Sequence, residues 1–289
     1  MEKKKNSLLG SLMLLVTAII WGFAFVAQSV GIDKLGCFSF NGIRSIIGAV
    51  VLIPVILVIK KINGGERMFT KEAIIGGICC GVVLFVASSF QQFGIKYSTV
   101  GKASFITALY VVIVPLLGLF VKKRPSTKTW VGVGTAVIGL YLLCFKPGSF
   151  SIGKGDALLL VCSLLFSIHI LVIDYFSPKA NGVVISCIQF FVSGIMACVA
   201  MFIFENPQLP DIMECWLPIL YAGIGSCGIA YTLQIVFQKG VDPTAASLIL
   251  CTESLFGAIG GWILLGQTLS IREIGGCSLM LVAIVLAQL

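Results

Sequence analysis

The sequence predicts an all-α integral membrane protein: ten transmembrane helices arranged as two inverted five-helix repeats. Three observations predict it. Of the 289 residues, 58% are apolar and only 11% charged, about half the charge of an ordinary soluble domain. The apolar residues gather into ten runs, each near the 20 or so residues that a helix needs to cross a hydrocarbon core about 30 Å thick. The first five runs, finally, can be laid over the last five. The polar segments between runs are too short for a soluble module, which excludes an appended nucleotide-hydrolysing or DNA-binding domain. The net charge of +8 gathers at span ends, where it marks topology and not a nucleic-acid surface.

Taken in order, the first span is read at 8–30. Lys3, Lys4 and Lys5 precede it as in a signal peptide, but the run is too long for an h-region and Ala27-Gln28-Ser29 is a weak cleavage site, so it stays a helix. Asp33-Lys34 ends it, and the second span follows at 37–59. Asn63-Gly64-Gly65-Glu66-Arg67 separates that from the third, 73–93. The fourth, 100–121, stops at Lys122-Lys123-Arg124-Pro125, and the fifth, 128–145, at Lys146-Pro147-Gly148. The sixth and seventh occupy 155–176 and 181–204, the latter closed by Asn206-Pro207. The last three are placed at 212–237, 243–265 and 270–288, and the repeats divide as 1–146 and 147–289. Most of the eleven cysteines lie inside these runs, among them Cys79, Cys80, Cys162, Cys198, Cys227 and Cys251, and none forms a C-x-x-C. They read as small buried hydrophobes. No metal and no cofactor is expected.

With the N-terminus cytoplasmic, that side carries thirteen lysines and arginines and the other side six, with Arg44 inside a span. The bias places both termini in the cytoplasm. The repeat itself is visible in residues. Gly10-x-Leu12-x-Leu14-x-Val16 matches Gly155-x-Ala157-x-Leu159-x-Val161 at an offset of 145. Ala103-Ser104-Phe105-Ile106 matches Ala246-Ser247-Leu248-Ile249 at an offset of 143, which also pairs Gln91 with Gln234 and Tyr110 with Glu253. An odd number of spans per repeat turns the second copy over in the membrane, and such inverted repeats are a transporter signature.

Trp21-Gly22-Phe23-Ala24-Phe25 resembles the opening of the ten-helix drug/metabolite transporter superfamily, EamA-like branch. Tyr97-Ser98-Thr99-Val100-Gly101-Lys102-Ala103-Ser104 is similar to that branch's first-half signature. Glu253-Ser254-Leu255-Phe256 with Leu264-Leu265-Gly266-Gln267-Thr268-Leu269-Ser270 resembles its second-half signature. The chain departs from the pattern at Ser254, where proline is usual, at Gln267, where glutamate is usual, and in Val121-Lys122-Lys123-Arg124 after the fourth span. The resemblance implies a central cavity lined mainly by spans 1, 3, 4, 6, 8 and 9, with 5 and 10 peripheral. It also implies transport, often export, of amino acids or other small metabolites.

Polar groups at membrane depth are costly, about 2.5–3.5 kcal/mol for a charge on insertion scales, so each marks a candidate site. Glu253 lies near the midplane of span 9 and is read as binding a cationic group, carrying a coupling proton, or serving structure alone. Arg44 either meets a substrate carboxylate or snorkels to the interface. His169, the sole histidine, is a proton carrier or a hydrogen-bonded core residue. Gln91 and Gln234 are expected to face the cavity or each other, Tyr231 shares a face with Gln234, and Trp21 and Gln28 lie two turns apart along span 1. Gly77-x-x-x-Gly81 and Gly257-x-x-x-Gly261 read as close-packing patterns.

These features predict a secondary transporter for a small polar or amphipathic metabolite, working by alternating access in the cytoplasmic membrane, with proton coupling and homodimer formation both compatible. An intramembrane enzyme would need H-E-x-x-H or clustered aspartates, and a channel a repeated filter segment; neither occurs. A membrane sensor or scaffold with a transporter-derived fold stays open as the alternative.

Overall fold

The computed structural model describes residues 2–32, 34–62, 64, 68–98, 100–120, 125–144, 153–265 and 270–288. Among them the chain forms ten successive rods. These are α1 (Glu2–Ile32), α2 (Cys37–Ile62), α3 (Lys71–Lys96), α4 (Val100–Ala108 and Tyr110–Phe120), α5 (Thr127–Cys144), α6 (Lys154–Phe176) and α7 (Gly182–Phe204). Then follow α8 (Trp216–Gln238), α9 (Pro243–Leu250 and Glu253–Leu265) and α10 (Ile271–Gln288). Eight rods are long and apolar enough to cross a membrane by length and composition, namely all but α5 and α10; those two have 18 residues each and pack on one another. The boundary expected between the repeats, at 146/147, lies outside the described residues.

Local chemistry explains where the rods start. Thr70 Oγ1 accepts from Ala73 N at 3.2 Å and Asn181 Oδ1 from Val183 N at 3.0 Å. Asp242 Oδ1 accepts from Thr244 N at 2.9 Å beside Pro243, whose fixed φ suits a first helical position. The eighth span starts later than 212. A separate short helix, Leu209–Glu214, ends at Cys215, because Pro218 offers no N–H to the Glu214 carbonyl and its ring crowds that oxygen.

Three spans expected to be continuous are interrupted. In α4 the turn tightens at Leu109, whose N–H bonds Ile106 O at 3.3 Å. In α9 it tightens at Cys251 and Thr252, where Thr252 Oγ1 takes Ile249 O at 2.6 Å and Cys251 Sγ takes Leu248 O at 3.1 Å. Such back-bonding competes with the backbone ladder and bends helices. The offset of 143 maps Leu109 onto Thr252, so the breaks are equivalent, and the halves of α4 and α9 cross there. The third interruption has no counterpart. Tyr221–Ala230 of α8 winds as a π-helix, a wide turn that occurs mostly at functional sites. Its equivalent stretch in α3, at 78–87, is ordinary α-helix.

Helices close in on small residues. A Cβ on Gly48 of α2 would stand 2.5 Å from Cys227 Cβ in the π-segment, and one on Gly22 of α1 would stand 2.7 Å from Gly257 N of α9. On Gly77 and Gly81 it would overlap Ile188 and Val192, so the first small-residue pattern seats α3 on α7. The resulting order places α1, α3, α4, α6, α8 and α9 around a centre, with the α5–α10 pair outside it.

Candidate functional site

The π-segment of α8 is tied to α1 at both of its ends. Thr17 Oγ1 of α1 donates to Ala230 O at 3.1 Å, and Tyr221 Oη donates to Ile20 O at 3.0 Å. Beyond it, Tyr231 stacks in tilted fashion on Trp21 with ring centroids 4.5 Å apart, and edge-on to His169 at 5.9 Å and Phe190 at 5.4 Å. An aromatic wall therefore joins α1, α6 and α8.

Opposite this wall the two broken helices meet. Tyr110 and Glu253 each begin the second segment of its helix. Tyr110 Oη donates to Glu253 Oε1 at 3.0 Å, and both residues are buried. Repeat mates are thus bonded to one another where the two halves cross.

All nine candidate residues line one cavity: Trp21, Gln28, Arg44, Gln91, Tyr110, His169, Tyr231, Gln234 and Glu253. The sequence did not single out Ser226, Ile170 or Leu250, which complete it along with Ala24, Phe25 and Phe166. Ser226 was hidden by the π-turn, since ordinary helical spacing assigns its face wrongly. The lining comes mainly from the implied spans 1, 3, 4, 6, 8 and 9, and α2 adds Arg44. Gly48 lets α2 approach α8 closely enough to bring that side chain in. Gln91 and Gln234 both face the cavity and do not pair. Gln234 Nε2 donates to Gln238 Oε1 at 3.1 Å, and Gln238 Nε2 to Ile170 O at 2.8 Å.

The cavity is narrow, ≈ 30 Å³, space for about two water molecules. Four of its polar atoms are nevertheless unspent. Trp21 Nε1, Gln28 Oε1, Arg44 Nε and Gln234 Oε1 are buried without a hydrogen-bond partner, and each such atom costs about 1–3 kcal/mol to leave so. The Arg44 guanidinium stands 5.6 Å from the Phe40 ring centroid and has no carboxylate partner among the described residues. It does not snorkel; it is buried. The set offers donors (Trp21, Arg44), acceptors (Gln28, Gln234, Glu253) and a π-face.

The sequence pattern of the EamA-like transporter family matches residues 8–145 and again 153–289. The chain belongs to that family. It is 28% identical over 283 residues to an uncharacterized transporter of Archaeoglobus fulgidus, covering 98% of this chain and 86% of that one. It is 22% identical to the uncharacterized transporter YoaV of Bacillus subtilis, over 91% of this chain and 90% of the relative. A solved crystal structure superposes with a TM-score of 0.80 at 17% identity, covering 96% of each chain. That likeness speaks for the fold. The chain is a multi-pass membrane transporter.

Proposed function

We propose that this EamA-family transporter moves a small zwitterionic or amphipathic metabolite, an amino acid or a close analogue, across the cytoplasmic membrane by alternating access. The direction is export, and a proton moves in exchange. Both termini are cytoplasmic, and the two five-helix units, 1–146 and 147–289, rock about the crossing of α4 and α9.

The Tyr110–Glu253 bond carries this reading. It joins equivalent residues of opposed halves inside a polar cavity, so any rocking of one half on the other changes the surroundings of the carboxyl. A carboxyl alternately covered and wetted can take up and release a proton. Arg44, unpaired by any acid among the described residues, supplies a cation for a substrate carboxylate, and Glu253 an anion for its ammonium. Trp21, Tyr231 and Phe166 receive the apolar part or the cation's face. The cavity as it stands is too small for such a molecule, so binding requires the halves to part. This supports a closed state of a moving device rather than a fixed pore.

The test is a thermal-shift screen of purified protein against amino acids, quaternary amines, nucleosides and sugars, because a ligand of the folded state raises its Tm by mass action. A zwitterion should stabilise the protein, and counterflow of that zwitterion in liposomes should saturate. Stabilisation by nucleosides or sugars alone would refute the substrate class.

A further inference from the structure

His169 Nε2 lies 3.1 Å from Gln189 Oε1. The imidazole is buried, lines the cavity on one side and backs onto α7 on the other. Gln189 is fully buried and lies outside the cavity lining. An amide oxygen can only accept, so the ring nitrogen facing it carries the hydrogen. The neutral ring then holds its lone pair on Nδ1, the nitrogen that Gln189 does not engage. No acid pairs with His169 among the described residues, and nothing there supports a second ring proton.

We infer that Gln189 is a positioning residue: it fixes His169 as the Nε2–H tautomer, so that His169 presents a hydrogen-bond acceptor, Nδ1, to an N–H donor on the substrate. The inference rests on the zwitterion reading above and sharpens it. With Gln28 Oε1, Gln234 Oε1 and the Glu253 carboxyl, the cavity then holds several acceptors that can take N–H groups. Such a set suits a primary ammonium, which has three N–H groups to give. A quaternary ammonium has none, and it would leave these acceptors bare. The repeat explains the arrangement. Gln189 is the mate of Arg44 at the offset of 145; in the first repeat that position reaches the cavity directly, and in the second it acts through His169.

The chain has one histidine, so protein labelled with ¹⁵N only in histidine gives a spectrum of a single imidazole. In the wild type, the protonated nitrogen should be Nε2 and the bare one Nδ1. Gln189→Met, similar in length without an amide, should mix the tautomers. Titration with the common L-amino acids should displace the Nδ1 resonance for at least one of them, and glycine betaine should not. A proton on Nδ1 in the wild type would overturn the inference, and so would an unchanged tautomer in Gln189→Met. The first of these readings needs no variant, so a misfolded Gln189→Met cannot mask it. The expected tautomer with no response to any amino acid would instead overturn the zwitterion reading on which the inference rests. A response to betaine equal to that of amino acids would overturn the preference for a primary ammonium.

Discussion

The N-termini of α2 and α7 are equivalent positions of the two repeats, and they are satisfied differently. At α7 the cap is local: Asn181 Oδ1 accepts from Val183 N at 3.0 Å and Val184 N at 3.3 Å. The mate of Asn181 at the offset of 145 is Gly36, which has no side chain to offer. At α2 the cap comes from the other repeat. The Glu205 carboxylate, just past the end of α7, accepts from Phe38 N at 2.9 Å, Ser39 N at 2.8 Å and Ser39 Oγ at 2.6 Å. A Cβ on Gly36 would collide with that carboxylate. The mate of Glu205, in turn, is Lys60, which lies exposed at the far end of α2. One end of the α2–α7 pair is therefore tied across the repeats, and the described residues at the other end show no hydrogen bond of that kind. If the halves rock as proposed, the tied end is the one held shut. By the proposed topology it is the external end.

Breaking this comparison at its centre should have the largest effect. Glu253→Gln keeps the shape and the acceptor for Tyr110 but removes the charge, and pH-driven transport in liposomes should fall more than about tenfold while exchange of substrate for substrate persists. Tyr110→Phe, the same bond cut from the other repeat, should cost about 1–2 kcal/mol of stability in denaturant titration and leave proton dependence in place. A variant with both activities lowered equally at position 253 would assign Glu253 to cation binding alone.

At the ends the effects are smaller. Glu205→Ala removes a charged cap shared by two backbone N–H groups and should lower stability by about 1–2 kcal/mol, against about 0.5–1 kcal/mol for Asn181→Ala. The pair Gly36→Asn with Glu205→Ala would recreate the α7 arrangement in α2, since losing the carboxylate frees the space for a side chain. It should recover most of the stability and none of the tie between repeats. Full recovery of both would show that the tie resides elsewhere.

The ion pair between Lys34 and Glu214, N to O at 2.8 Å, also joins the two halves at this end. Their mutual hydrogen bond, and then their Coulombic attraction, raise the pKa of Lys34 and lower that of Glu214. The raised lysine favours folding below its unfolded pKa, and the lowered carboxyl does so above its own; both hold through neutral pH. The contribution is lost only as pH falls through the lowered value of Glu214 or rises through the raised one of Lys34. Both side chains are more than half exposed, and such pairs contribute little. Glu214→Gln should leave Tm unchanged within error at neutral pH.

Ten apolar runs were enough to place the rods, because a hydrocarbon core punishes polar side chains everywhere along a span. Hydropathy is blind to hydrogen-bond register, and for that reason the breaks at Leu109 and Thr252 and the π-turn of α8 were not legible. The cavity residues stood out for the same energetic reason that a buried Glu253 or Arg44 is costly. Glu205 did not. It sits in a turn, where a carboxylate is ordinary, and its partners lie some 166 residues away in the chain. The one available signal was Gly36 standing where the other repeat has Asn181.

The central claim is that a single cavity opens by turns to the two faces of the membrane, with Glu205 closing one of them. Ser226→Cys, on a background freed of the eleven native cysteines, places a thiol in the cavity wall. An impermeant maleimide should label it from either face of oriented vesicles. A pair of cysteines at Phe38 and Phe204, whose rings stand 6.0 Å apart at the tied end, can be bridged by a short bis-maleimide before Ser226→Cys is probed. Bridging should abolish labelling from the α1–α2 face and leave labelling from the opposite face intact. Labelling that persists from both faces after bridging, or that comes from one face alone in the unbridged protein, would contradict alternating access.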